Sequence, residues 1–286
     1  MIKTLSKNEI PAALNEIPEP PEKLYILGEL PDENNIYLTV VGSRKHTSYG
    51  KDVCEALIEG LRGQRVVIVS GLALGIDSIA HTAALNAGLR TISFPGSGLD
   101  ESVLYPASNR YLAKQIVESG GCLISEFDPK FKPTPWSFLQ RNRLMAGISK
   151  AVLIIEAEQK SGTLVTARLG LDYNRDVLVV PGSIHSHASK GTNSLIRQGA
   201  TPITGVDDLF EALGLKIPDK GEKQQRLFAD CTTDEKKILE FLVEPKSRDD
   251  LVRELGLPTP TANALLSIME IKDMIKESGG LIQRNF

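Results

Sequence analysis

From residue 36 onward the chain switches repeatedly between two hydrophobic periods. Continuous apolar runs of strand length fall at 36–41 (IYLTVV), 66–70 (VVIVS), 90–94 (RTISF), 122–126 (CLISE), 151–157 (AVLIIEA) and 176–180 (DVLVV). A run that is apolar at every position fits a strand covered on both faces. Segments with helical spacing separate these runs, at 49–62, 76–87, 109–119, 137–148, 163–174 and 193–198. Strands alternating with helices predict an α/β fold, a doubly wound and mainly parallel sheet. Residues 206–214 (VDDLFEALG) close this domain, with Gly214 as the C-cap.

The flanks read differently. Residues 1–35 form a short polar lead-in, where Pro18, Pro20, Pro21 and Pro31 forbid a long helix. Residues 218–231 (PDKGEKQQRLFADC) have the composition of a linker. Residues 232–286 contain three helical segments and a hairpin, the order of a winged helix. In that tail Thr233 heads a poor capping box, whereas Thr259 and Thr261 are reasonable caps. The main domain therefore spans 36–217.

Composition narrows the class. The 286 residues are 41% hydrophobic and 24% charged, as in an ordinary globular protein. No apolar run reaches the roughly 18 residues of a membrane span. The first residues lack a signal-peptide pattern. Cys54, Cys122 and Cys231 are scattered, without metal-ligand spacing. A reducing, cytoplasmic setting with no metal follows as the expectation. The net charge of −3 hides an uneven distribution: residues 36–150 carry 13 basic and 9 acidic side chains, whereas residues 1–35 carry 3 and 7. A local basic region can capture phosphates on a protein that is acidic overall.

Ligands of such sheets bind at the carboxyl ends of the strands. The segments found there are Gly42-Ser43-Arg44-Lys45, Gly71 to Asp77, Pro95-Gly96-Ser97-Gly98, Ser161-Gly162-Thr163, and Pro181-Gly182-Ser183 with 189–193 (SKGTN). Glycine permits close approach, and helix N-termini favour anions. The expected ligand carries several phosphates. No GxxxxGK[ST] occurs, and no GxGxxG follows the first strand, so no nucleotide cofactor is expected. A second constellation is Phe138-Leu-Gln-Arg141-Asn142-Arg143, after a loop with Phe131 and Trp136. It fits either a nucleic-acid surface, where Arg grips phosphate and aromatics stack on bases, or a core stripe with surface arginines.

Single residues carry further expectations. Asp77 charges a helix start, and His81 is its hydrogen-bonded neighbour one turn on. Glu126 and Glu156 are buried acids holding the arginines. His185 and His187 lack a third metal ligand. Cys54 and Cys122 are core. The last helix of the tail, 259–274, has only Lys272 as a base, which suits protein contact better than major-groove reading.

Together VVGSRKHTSYG, VSGLALGIDSIAH, FPGSGLDESVLYP, FLQRNRLMAGIS, IIEAEQKSGTLVTA and SKGTNSLIRQGA make the chain resemble the DNA-processing protein A family (DprA, or Smf) over residues 24–215. The tail is similar to that family's small C-terminal domain. The resemblance implies an extended Rossmann fold that binds single-stranded DNA and forms a homodimer. It also implies protection of incoming DNA in natural transformation and loading of the RecA recombinase, without catalysis. Carried over by position, the DNA site is Gly42, Ser43, Arg44, Ser70, Gly71, Gly75, Gly96, Ser97, Arg141, Asn142 and Arg143, with Lys190 and Asn193 beside it. The 35 residues before the main domain are too few for the helical domain that longer members carry there. Two other functions stay open: a nucleotide-cleaving enzyme on the same fold, and an adaptor whose dimer surface lies within 151–182.

Overall fold

The computed structural model describes residues 1–217, 232–272, 274–278 and 280–284. The chain divides into two compact units, Met1–Ile217 and Pro218–Phe286. The expected linker at 218–231 lies outside the described residues.

The first unit runs β1 (Lys3–Leu5), α1 (Ala12–Asn15), β2 (Leu24–Gly28), β3 (Ile36–Val41), α2 (Ser48–Gly60), β4 (Val66–Ser70), α3 (Ile76–Asn86), β5 (Arg90–Ser93) and α4 (Arg110–Glu118). It continues with β6 (Cys122–Ser125), α5 (Pro135–Ile148), β7 (Ala151–Ile154), α6 (Gly162–Asp172), β8 (Asp176–Val179), α7 (Lys190–Arg197), β9 (Thr201–Pro202) and α8 (Val206–Leu213). These strands form one nine-stranded sheet in the order β1-β2-β6-β5-β4-β3-β7-β8-β9. From β6 to β9 every neighbour pair is parallel.

The continuous apolar runs are explained by two cores. Every residue of β4 is buried. Alternate side chains of one strand serve opposite faces. Tyr37 and Val41 pack with Leu144, Met145 and Ala167 beneath α5 and α6, whereas Leu38 and Val40 pack with Leu57, Ile76 and Phe210 beneath α2, α3 and α8.

Residues 1–35 depart from the expected lead-in. The stretch 24–28 lies between Pro21 and Pro31 and is free of proline itself, so it forms β2 and pairs antiparallel with β6, from Tyr25↔Ser125 to Gly28↔Cys122. Leu14 and Leu24 are fully buried in the main core. The prolines restrict helix α1 to one turn without removing the segment from the fold.

The chain builds the sheet outward in two directions. From β3 it proceeds through β4 and β5 to β6, and from β7 through β8 to β9. β3 and β7 are themselves neighbours, with Leu38 opposite Ala151 and Val41 opposite Ile154. Their following loops must therefore diverge, which opens a crevice at this switch point.

The second unit runs α9 (Thr233–Phe241), β10 (Lys246–Ser247), α10 (Arg248–Leu255), α11 (Thr259–Ile271), β11 (Ile275–Ser278) and β12 (Leu281–Arg284). Its strands form a separate sheet, β10-β12-β11, and Ile238, Leu251, Leu266, Met269 and Ile282 make its core. This is a winged helix. Thr232, not Thr233, caps α9, in a reciprocal box with Glu235. Helix α11 starts after Pro258 with no side-chain cap, which corrects the roles expected of Thr259 and Thr261.

Candidate nucleic-acid interface

A cavity of about 480 Å³ occupies the switch point. The end of β3 supplies Gly42, Ser43, Arg44 and Lys45; the stretch after β7 supplies Glu158, Lys160 and Ser161; α5 supplies Phe138, Arg141 and Asn142. Helix α6 opens into it through Gly162 and Thr163. Ser161 caps that helix by accepting from the Thr163 N–H, and the Thr163 hydroxyl donates to the Gly42 carbonyl across the crevice at 3.1 Å. An α-helix N-terminus carries about half a positive charge.

The floor is electrostatically unusual. Arg141 is only 5% exposed. Its Nη1 donates to the Phe94 carbonyl, and its Nε donates to Asn142 Oδ1 at 2.9 Å. Burial brings the guanidinium down to about 10; Asp77 opposes that shift and Arg44 adds to it. Asp77 is buried, which raises its carboxyl above the ordinary range against the pull of Arg141, the Ala73 and Gly71 N–H groups, and Arg44. The lining as a whole carries Arg44, Lys45, Arg141 and Lys160 against Asp77 and Glu158, an excess of positive charge. Arg44 itself is exposed and lies over the Phe138 ring, 5.2 Å from its centroid.

Of the positions marked by the sequence, Gly42, Ser43, Arg44, Arg141 and Asn142 meet in this cavity. The others stand outside its lining, with reasons that the structure makes plain. Ser70 is fully buried and donates to the Val40 carbonyl at 2.7 Å. The Gly71 and Ala73 N–H groups are taken by Asp77 Oδ2, so these two donors are engaged within the loop. Gly71 is needed instead because a Cβ there would overlap the Arg141 guanidinium. Gly75, at φ +80°, lies against the Ser43 carbonyl. Gly96 makes room for Phe138, and Ser97 is fully buried with its hydroxyl on the Gly98 carbonyl. Asn193 closes the 181–182 turn by donating to the Gly182 carbonyl at 2.9 Å. Lys190 is exposed at the start of α7.

Arg143 is the clearest correction. It is 6% exposed, donates to the Glu19 carbonyl at 2.7 Å and pairs with Glu126 at 2.5 Å. It fastens the N-terminal segment to β6 and takes no part in the cavity. Glu126 thus holds an arginine as expected, but Glu156 does not. Glu156 accepts from the Thr47 N–H and hydroxyl, at 3.0 and 2.5 Å, and so steadies the start of α2. His81 pairs through Nδ1 with the Thr91 hydroxyl at 2.7 Å rather than with Asp77. Thr91 already donates to the Ile68 carbonyl, so Nδ1 carries the proton. Cys54 and Cys122 are buried and free, and burial raises both thiols. Among the described residues, no group of three or more metal-ligating side chains occurs.

The strand-end loops and the 138–143 constellation of the sequence already mark Lys45, Phe138 and Ser161 to Thr163, which the positional carry-over from the resemblance omits. What joins them is topology: the two loops that follow the adjacent parallel strands β3 and β7 face one crevice.

The fold defines a Rossmann-like α/β protein with a crevice lined by basic side chains, in a chain that also carries a winged helix. The model of the family described as DNA recombination-mediator protein A matches residues 1–214, and that of the DprA winged helix domain matches residues 223–280. The chain belongs to the DNA recombination-mediator protein A family. It is 41% identical over 205 residues to Protein Smf of Escherichia coli (strain K12), covering 71% of this chain and 54% of that protein. It therefore spans about half the length of that relative. DNA processing protein A of Streptococcus pneumoniae has a similar structure, with a TM-score of 0.69, 37% identity, and coverage of 73% of this chain and 74% of that one. DNA processing protein A of Helicobacter pylori, whose structure is described for a single-stranded DNA binding mode, matches with a TM-score of 0.67 and 34% identity, over 74% of this chain and 95% of that one. Among the described residues no helix is long and apolar enough to cross a membrane.

Proposed function

We propose that this protein binds single-stranded DNA in the switch-point cavity, protects it as it enters the cytoplasm during natural transformation, and loads RecA on it as a homodimer. The observation that carries this is the cavity lining, where Arg44, Lys45, Arg141 and Lys160 outnumber Asp77 and Glu158. That excess cation, the start of α6, and the exposed Lys45 and Lys160 suit a phosphate. Phe138 offers a ring face to a base beside it. The family's description and the single-strand binding of the Helicobacter pylori relative support the choice of polyanion.

Binding rather than catalysis is the chemistry these groups favour. His81 is fully buried and held neutral, its pKa brought down to about 3 by burial and by Arg141, so it is no general base for a solvent-exposed substrate. Asp77 is engaged by backbone N–H groups.

The test is fluorescence anisotropy with labelled single-stranded and duplex oligonucleotides across a salt series. Preference for the single strand, with log affinity falling linearly in log salt, is expected. Arg44→Ala and Lys160→Ala each weaken binding several-fold. Normal binding by both variants would overturn the site assignment.

A further inference from the structure

The first turn of α5 presents a second aromatic group that the cavity does not use. Thr134 and Ser137 form a capping box around it, and Pro135 occupies its first position. The Ser137 hydroxyl donates down to the Gly96 carbonyl at 2.5 Å, which fixes the turn on the loop after β5. Phe138 of this turn lines the cavity. Trp136, two residues earlier, remains 58% exposed. Its ring meets Phe127 edge-on at 5.7 Å, and Phe127 stacks on Phe131 at 4.5 Å with 17° between their planes. An indole set against one ring of a stacked pair and left open to solvent is a poor use of apolar surface in an isolated molecule. The charges nearby are balanced: Lys130 and Lys132 are exposed, Lys23 pairs with Asp128, and Asp100 and exposed Glu101 are the opposing acids, so stacking and not charge is what this surface offers a single strand.

We infer that Trp136, set against the stacked pair at Phe127, is a base-stacking platform for the single strand where it leaves the cavity across the start of α5. This inference rests on the proposed cavity reading and extends its track by a subsite. Phe138 and Trp136 belong to one turn of α5 but diverge by about 200°, so a strand lying over Phe138 reaches Trp136 by crossing the N-terminal end of the helix. Stacking tolerates any base, so the platform adds affinity and length preference rather than sequence preference.

Trp136 is the single tryptophan of the chain, which makes the subsite directly observable. The full-length protein is titrated with oligothymidylates of roughly 4 and roughly 16 nucleotides, the span of common single-strand sites, with anisotropy and tryptophan emission read together. The expected result is quenching of Trp136 by the longer oligomer, and a loss of at least about fivefold in its affinity in Trp136→Ala. Trp136→Phe retains most of that affinity, and the short oligomer is indifferent to both changes. Tight binding of the longer oligomer with unchanged emission and normal affinity in Trp136→Ala would overturn the platform and leave the cavity reading intact. Absence of single-strand binding in the unaltered protein would overturn both.

Discussion

Arg141 and Arg143 are two positions apart on α5, and two residues turn a helix by about 200°. One guanidinium therefore looks into the cavity with Asp77, and the other looks toward Glu126 and the Glu19 carbonyl. Arg143→Met should lower stability by about 2–3 kcal/mol in urea denaturation, because it leaves Glu126 without its partner. The folded fraction should keep normal single-strand affinity, which separates this residue from Arg44. His81 gives a second expectation at the same scale. Its folded pKa of about 3 lies below the unfolded value near 6.5, so its contribution is fully present above pH 6.5 and is lost as pH falls toward 3. Denaturation midpoints of the protein should fall across that window, by roughly a kcal/mol per pH unit from this group, and His81→Leu should flatten that part of the profile.

Elements were far more legible in the sequence than the roles of the loops between them. All six apolar runs became parallel strands of the main sheet, because a run buried on both faces leaves no polar positions to confuse the pattern. β2 escaped notice since five residues among prolines carry little periodic signal, and its identity depends on pairing with β6, about a hundred residues away. The glycine-rich ends of strands were legible as turns, but composition does not say which acceptor takes an N–H. Asp77 takes those at Gly71 and Ala73, Asn193 accepts at Gly182, and of the strand-end loops those after β3 and β7 supply most of the cavity lining, with Ala73 added from the loop after β4. Two substitutions test this division. Gly71→Ala must displace the Arg141 guanidinium, so it should cost about 1–3 kcal/mol of stability and weaken single-strand binding together. Thr134→Ala removes the cap of α5 and should cost about 1 kcal/mol in thermal denaturation.

At the scale of the whole molecule, every lining residue of the cavity belongs to Met1–Ile217. That unit alone should fold cooperatively and keep the salt slope of the full chain in anisotropy titrations; a slope reduced by more than one phosphate contact would place binding in the second unit as well. The winged helix offers little to a duplex. Lys272, the base of its last long helix, is engaged by Glu235 at 2.7 Å, and the exposed Ile268 and Ile271 of α11 are apolar. The expectation of protein contact by this unit predicts no preference for duplex in the full chain.

The adjacency of β3 and β7 also has a consequence for the order in which a ribosome releases the protein. The register from Leu38↔Ala151 to Val41↔Ile154 joins segments separated by more than a hundred residues of chain. Synthesis delivers the N-terminal part first, at about 5–20 residues per second. The early half of the sheet can pair β3, β4 and β5 while the other wall of the crevice does not yet exist. Only when α6 emerges do Ser161 to Thr163 meet Gly42 and close the cavity. On the proposed reading, a nascent chain has its first basic wall early but no closed cavity for a polyanion, the messenger being translated included, until its main sheet is assembled on both sides of the junction.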